Sequence, residues 1–225
     1  MIEERKQNLY QPSPELIKKF AYEMQLYKAA IKEIKTKLEI LDEDFHVRYD
    51  YNPIHHIESR LKSLESISGK LKKHGLDLTI ENIRSNLRDV AGLRVICNYL
   101  HDVNRIADML IGQDDIVLLE KKDYINNPKP NGYRSLHIII AVPIFLSGET
   151  ISVCCEIQIR TIAMDLWASL EHHLRYKALE NTSAQLSDRL FKCAEELSSI
   201  DKELQSIYSE IHPLAPEIYN YDSDY

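Results

Sequence analysis

Residues 133–160 read YRSLHIIIAVPIFLSGETISVCCEIQIR, two apolar runs joined through Pro143 and the turn-forming Ser147, Gly148 and Glu149. In the second run Ile151, Val153, Cys155, Ile157 and Ile159 fall on one face of a strand. Ser152, Cys154, Glu156, Gln158 and Arg160 fall on the other, because successive side chains of an extended chain point to opposite sides. The first run repeats the pattern, with Leu136, Ile138 and Ile140 opposed to Tyr133, Ser135 and His137. The runs therefore predict antiparallel neighbouring strands over about 133–142 and 151–159, with one core face and one polar face. A polar sheet face is ordinarily solvated, but this one gathers an acid, an amide and an imidazole. Tyr133, His137, Glu156 and Gln158 can line one cleft.

Working outward, AGLRVICNY after Val90 reads as another strand, followed by a helix over 102–111 and a strand over 116–119. Asn127, Pro128, Pro130, Asn131 and Gly132 make the next segment a loop. A helix over 163–179 completes the centre, which is a small mixed sheet covered by helices, an α/β (α+β) class. Before it, 53–61 and 64–74 read as short helices, Gly75 as a stop and Thr79 as a cap. Ser13 and Pro14 start a long helix with a heptad seam of Ile17, Phe20, Met24, Tyr27, Ile31, Ile34, Leu38 and Leu41. Leu186, Leu190, Cys193, Leu197, Ile200, Leu204, Ile207 and Ile211 form a matching seam at the other end, stopped by Pro213 and Pro216. Such seams ordinarily pack within the chain, and two of them raise the expectation of a homo-oligomer. The organisation expected is a single domain: a helix over 13–43, a core over 53–179, a helix over 183–212 and a loose tail over 213–225.

The 225 residues suffice for one sizeable core. A net charge of -7 argues against a broad grip on DNA, while local groups such as Arg60, Lys62 and Lys70, or Lys121, Lys122, Lys129 and Arg134, suit a compact polyanion, Lys121 and Lys122 taken singly reading as ordinary solvated charge. No apolar run is long enough for a membrane helix and the start lacks the apolar core of a secretion signal, so a cytoplasmic location is expected. The four cysteines show no zinc or redox spacing. No GxxxxGK[ST] or GxGxxG loop is present, which excludes the usual phosphate-binding loops. Phosphoryl or pyrophosphoryl transfer needs carboxylates for a magnesium ion, cations for phosphates and a group that positions or deprotonates a hydroxyl. Asp89 and Glu156, surrounded in sequence by the basic groups, are candidates for the first and last of these. An aspartate before a strand often only caps a turn.

Four stretches, ESRLKSLESISGKLKK, RDVAGLRVIC, KDYINNPKPNGYRSLH and EIQIRTIAMDLWASLEH, in this order, resemble the synthetase domain of the RelA/SpoT-type enzymes that make the alarmones ppGpp and pppGpp. The chain resembles the single-domain small alarmone synthetases most. The resemblance implies a nucleotidyltransferase-like sheet and a synthesis-only GTP pyrophosphokinase that uses Mg2+ to move pyrophosphate from ATP to the 3′-hydroxyl of GDP or GTP. It implies that Arg60, Lys62, Ser66 and Lys70 grip ATP and that Arg94 stacks on adenine opposite Arg60. It further implies that Asp89 and Glu156 hold the metal, Glu156 also acting as base, and that Tyr133 stacks on guanine. Lys129, Arg134 and His137 would face the acceptor phosphates or support their loop, and Gln158 and Asp165 would orient acceptor and ribose. Arg160, Trp167, Glu171, His172 and Arg175 would support the site. Members of the family are often tetramers, some with an alarmone activator as a further ligand. Two other readings stay open: the same transfer to a tRNA 3′-end, and a non-catalytic relative that binds nucleotide or RNA, which would be expected to lack Asp89 or Glu156.

Overall fold

The computed structural model describes residues 13–177 and 184–212, without the side chains of 175–177 and 184. The expected stop at Pro213 and Pro216, the loose tail over 213–225 and the supporting side chain of Arg175 lie outside the described residues. Helix α1 (Pro14–Tyr49) begins where the Ser13 hydroxyl accepts the Leu16 N–H at 3.2 Å. It runs past the expected end near 43, because Phe45 is buried and holds a further turn on the core. It stops at Asp50, whose left-handed backbone (φ 51°) returns its N–H to the His46 carbonyl.

The remaining elements are β1 (Ile54–Leu61), α2 (Leu64–Lys73), α3 (Ile80–Asn86), β2 (Ala91–Cys97), α4 (Leu100–Ile111), β3 (Val117–Asp123), β4 (Leu136–Phe145), β5 (Thr150–Thr161), α5 (Ile162–Lys177) and α6 (Ala184–Ile211). The strands form one sheet in the order β1-β2-β5-β4-β3. Only the β2–β5 pair is parallel, so the sheet is mixed, as expected. Leu93, Val95, Leu136, Ile138, Ile140, Cys155, Ile157 and Ile159 make its core face, and α1 and α4 pack across it. The opposite face is left for polar side chains.

Three expectations change. Residues 53–61, expected as a helix, form β1: Ile54, Ile57 and Leu61 follow a helical spacing, but seven backbone pairings with β2 claim the segment, and a register shift between Ile54 and His56 breaks its alternation. The strand expected over 116–119 continues through the charged Glu120, Lys121, Lys122 and Asp123, because β4 offers partners along that length. Tyr133, Arg134 and Ser135 remain in the loop, and β4 begins at Leu136.

The two seams also part company. Tyr27, Ile31, Ile34 and Leu38 are buried in the chain's own core. On α6, Ala194, Asp201 and Tyr208, each seven apart, are buried instead, while Ile200, Leu204, Ile207 and Ile211 remain exposed. No helix among the described residues is long and apolar enough to cross a membrane.

Candidate active site

Strand pairing sets the polar face as rows. Glu58, Arg94, Gln158, His137 and Lys122 stand abreast across the five strands, and Arg60, Gly92, Glu156, Ile139 and Glu120 form the next row. Residues paired across strands share a face, so Arg60, Arg94, Glu156, Gln158 and His137 necessarily look into the same space. Near one edge of it lies Asp89, in the irregular segment just before β2. Backbone pairing of Lys62 N–H with the Val90 carbonyl at 2.9 Å pins this corner. Lys62 Nζ at 2.5 Å and Lys70 Nζ at 2.8 Å both donate to Asp89 Oδ2. Asp89 Oδ1 is buried without a hydrogen-bond partner. Burial pushes this carboxyl up, but the hydrogen bonds and charges of the two lysines outweigh burial and hold it below the usual range. Two ammonium groups on one carboxylate leave a net positive corner, suited to phosphate oxygens.

The helix carrying Lys70, α2, is capped by Ser63, whose hydroxyl accepts the Ser66 N–H at 3.2 Å. Ser66 is exposed in the first turn, and its own hydroxyl accepts from Ser63 Oγ at 3.0 Å. Arg60 is exposed at the end of β1, while Arg94 pairs with Glu58 at 2.9 Å and approaches Asp165 at 3.6 Å.

On the other side, one buried guanidinium arranges the polar groups. Arg160, 4% exposed, donates to the Tyr133 hydroxyl and to Gln158 Oε1 at 2.6 Å each, to Asp165 Oδ1 at 3.1 Å and to Ser135 Oγ at 3.4 Å. With Arg160 donating to the phenol oxygen, the phenol hydrogen is free for His137 Nε2 at 2.7 Å. His137 Nδ1 then faces Glu156 Oε1 at 3.4 Å, and the Gln158 amide donates to Glu156 Oε2 at 3.2 Å. Burial raises the Glu156 carboxyl, but its contacts with His137 and Gln158 prevail and hold it below the ordinary glutamate value. Lys129 lies over the rings of Tyr124 and Tyr133, at 4.6 and 4.8 Å from their centres. Its loop is closed by Gly132 N–H to the Lys129 carbonyl at 2.8 Å, with Gly132 at φ +91°, a conformation that favours glycine.

The structure thus brings together Asp89, Lys62 and Lys70 at one corner and Lys129, Tyr133, His137, Glu156, Gln158, Arg160 and Asp165 at the other, with Arg60 and Arg94 on the same sheet face. It leaves others outside the cleft. Arg134 turns to α6, where it meets Glu195 at 2.7 Å. Trp167 is buried and donates its indole N–H to the Leu190 carbonyl, Glu171 accepts from Asn131 at 3.1 Å, and His172 is exposed beside His173. The sequence pattern does not single out Tyr124 or Glu120, and it assigns Lys122 to ordinary solvated charge. The last two share the cleft's face once β3 is seen to continue to Asp123, and only its register with β4 shows this.

Residues 59–181 match the family described as the region found in RelA / SpoT proteins. The chain is 41% identical over 189 residues to GTP pyrophosphokinase YwaC of Bacillus subtilis (strain 168), covering 84% of this chain and 90% of that protein. Its fold is similar to the crystal structure of small alarmone synthetase 2 from Bacillus subtilis, with a TM-score of 0.77 and 40% identity over 85% of this chain and 98% of that one. It is also similar to small alarmone synthetase 1 from Bacillus subtilis bound to its product pppGpp, with a TM-score of 0.74 and 33% identity over 82% and 94% of the two chains.

Proposed function

The chain belongs to the RelA/SpoT family, and on that footing we propose that it transfers pyrophosphate from ATP to the 3′-hydroxyl of GDP or GTP, releasing AMP and forming ppGpp or pppGpp. The observation that carries this reading is the shared sheet face: a carboxylate set with two lysines at one corner, and Glu156 beside an aromatic and basic loop at the other.

Arg60 and Arg94, two positions apart across neighbouring strands, bracket the adenine, since guanidinium planes stack and carry charge together. Lys62, Lys70 and Ser66 take the triphosphate. Tyr133 stacks on guanine, Lys129 and His137 serve the acceptor phosphates, and Gln158 and Asp165 orient the acceptor. Arg134, Arg160, Trp167 and Glu171 hold these groups in place. Glu156 receives the proton of the 3′-hydroxyl as its oxygen attacks the β-phosphorus of ATP and AMP departs. Its low proton affinity keeps it ionised and ready for that role near neutral pH.

Family membership implies Mg2+. Among the described residues no three His, Cys, Asp or Glu side chains group to hold a metal. The residues nevertheless fit this ion: Mg2+ binds through one or two carboxylates and substrate phosphates, and Asp89 offers a buried oxygen with no other partner, with Glu156 near enough for its carboxyl to feel the Asp89 charge. The ion would supply charge stabilisation to the transferring group.

The chain works as one domain in the cytoplasm, and as a homotetramer. Assembly is supported by apolar stripes left exposed on two packed helices, Ile162, Leu166, Leu170 and Leu174 on α5 and Ile200, Leu204, Ile207 and Ile211 on α6. Incubation with ATP, Mg2+ and GDP or GTP, with nucleotide separation, tests the reaction: AMP should appear with a guanosine product two phosphates heavier. Glu156→Gln should lower turnover by about a hundredfold or more while retaining ATP binding. Near-normal turnover by that variant removes Glu156 as base, and absence of AMP with both acceptors overturns the reaction.

A further inference from the structure

The loop that carries Lys129 and Tyr133 is held from behind by α6, a helix beyond the region matched to the family. Arg134 follows Tyr133 in sequence and points the opposite way. Its side chain, 12% exposed, donates to Glu195 Oε1 at 2.7 Å, to the Ala194 carbonyl at 3.5 Å and to the Gly132 carbonyl at 3.3 Å. One guanidinium therefore ties the loop's turn to two consecutive residues of α6.

Steric fit repeats the tie. A Cβ at Gly132 would lie 2.6 Å from the Ala194 Cβ and 3.4 Å from the Phe191 ring, so the turn rests directly on this part of the helix. Ala194 is itself buried, at 4% exposure. The helix is fixed in turn at Trp167, which donates to the Leu190 carbonyl at 2.9 Å, and at Asp201, which accepts from Thr161. Both anchors lie at or just after the end of β5, the strand that carries Glu156.

We propose that α6 is the backing of the acceptor loop and that Ala194 and Glu195 are positioning residues for the guanosine acceptor, Glu195 acting through Arg134 and Ala194 through Gly132. The proposal rests on the assignment of this loop to the acceptor. Neither residue touches the reacting atoms. Their work is to hold Tyr133 and Lys129 at a fixed height above the sheet, so that acceptor binding need not order the loop.

Steady-state kinetics and calorimetric GDP binding test it on the full chain. Glu195→Ala should raise the KM for GDP roughly three- to tenfold and weaken GDP binding in parallel, with the KM for ATP unchanged; the modest size reflects a pair whose carboxylate is half exposed. Ala194→Val, which adds bulk against Gly132, should move the same two quantities in the same direction. The exchange Arg134→Glu with Glu195→Arg should recover GDP binding lost in Glu195→Arg alone, which would not happen if Arg134 contacted the acceptor phosphates directly. An unchanged KM for GDP in Glu195→Ala, an equal shift for ATP, or no recovery in the exchanged pair overturns the proposal. Absence of AMP formation by the wild type would instead overturn the assigned reaction, and GDP binding by the variants would still decide the role of α6.

Discussion

Arg160→Lys should loosen the acceptor side of the cleft and destabilise the protein together. The guanidinium makes four side-chain hydrogen bonds, to Tyr133, Gln158, Asp165 and Ser135, and lies 5.1 Å from the centre of the Tyr133 ring. A lysine nitrogen occupies a single point. It can keep the ion pair with Asp165, which Arg160 makes from Nη1, but then vacates the Nη2 position from which Tyr133 and Gln158 are both reached. At 5% side-chain exposure, water does not replace what is lost. Two lost bonds at about 1 kcal/mol each give a destabilisation of about 2 kcal/mol. For a chain of this size that lowers Tm by roughly 4–8 °C. Freed from Arg160, Tyr133 and Gln158 should bind the acceptor about tenfold more weakly, a change equivalent to about 1.4 kcal/mol. Thermal unfolding by circular dichroism and the KM for GDP read the two effects. A Tm within about 1 °C of wild type refutes the energetic reasoning, and a normal KM for GDP in a destabilised variant refutes the claim that Arg160 orients the acceptor side.

Three further outcomes follow from other parts of the fold. Asp201 is buried, and burial raises its carboxyl despite the hydrogen bond from Thr161. A raised acid binds protons more readily folded than unfolded, so stability falls as pH climbs from about 3.9 through the folded value. Asp201→Asn should therefore be more stable than wild type near neutral pH, with the gap closing on acidification; parallel Tm–pH curves would contradict this. Arg84 makes a bidentate contact to the buried Glu23, at 2.8 and 2.7 Å, and Arg84→Ala should cost about 2–3 kcal/mol, less than a fully buried pair because Arg84 is half exposed. Urea unfolding should also show partial recovery on adding Glu23→Gln, and no recovery would remove the unpaired carboxylate as the cause. Ile200→Glu with Leu204→Glu should reduce the mass seen by sedimentation to that of one chain, whereas a wild type that already sediments as one chain would refute assembly through the α6 face.

The polar face was legible wherever alternation was strict. Tyr133, His137, Glu156 and Gln158 were expected in one cleft, and a contact chain joins all four. Asp89 was not legible in this way: strict alternation sets it opposite Arg94, and it reaches the site from the irregular segment before β2. Segment 53–61 was misjudged because its apolar residues mimic a helical spacing at a sheet edge, where one outward face need not alternate cleanly. Lys122 reads as solvated charge and Glu120 carries no signal for a related reason: their face is set by pairing with β4, and charged residues at an edge carry little periodic signal.

Local spacing by itself determined which segments are amphipathic and which strand residues face core or cleft, because side-chain direction repeats every two residues in strands and about every 3.6 in helices. It also determined that two long helices flank the centre. Only the tertiary structure decided what each face meets: α1 closes over the sheet, the apolar stripe of α6 stays open, Arg134 ties the loop to Glu195, and Lys62 and Lys70 converge on Asp89. The tie from Arg134 to Glu195 alone joins residues 61 positions apart. Periodicity fixes a residue's direction within its own element, while the neighbour in that direction is set by strand order and helix packing across the whole chain.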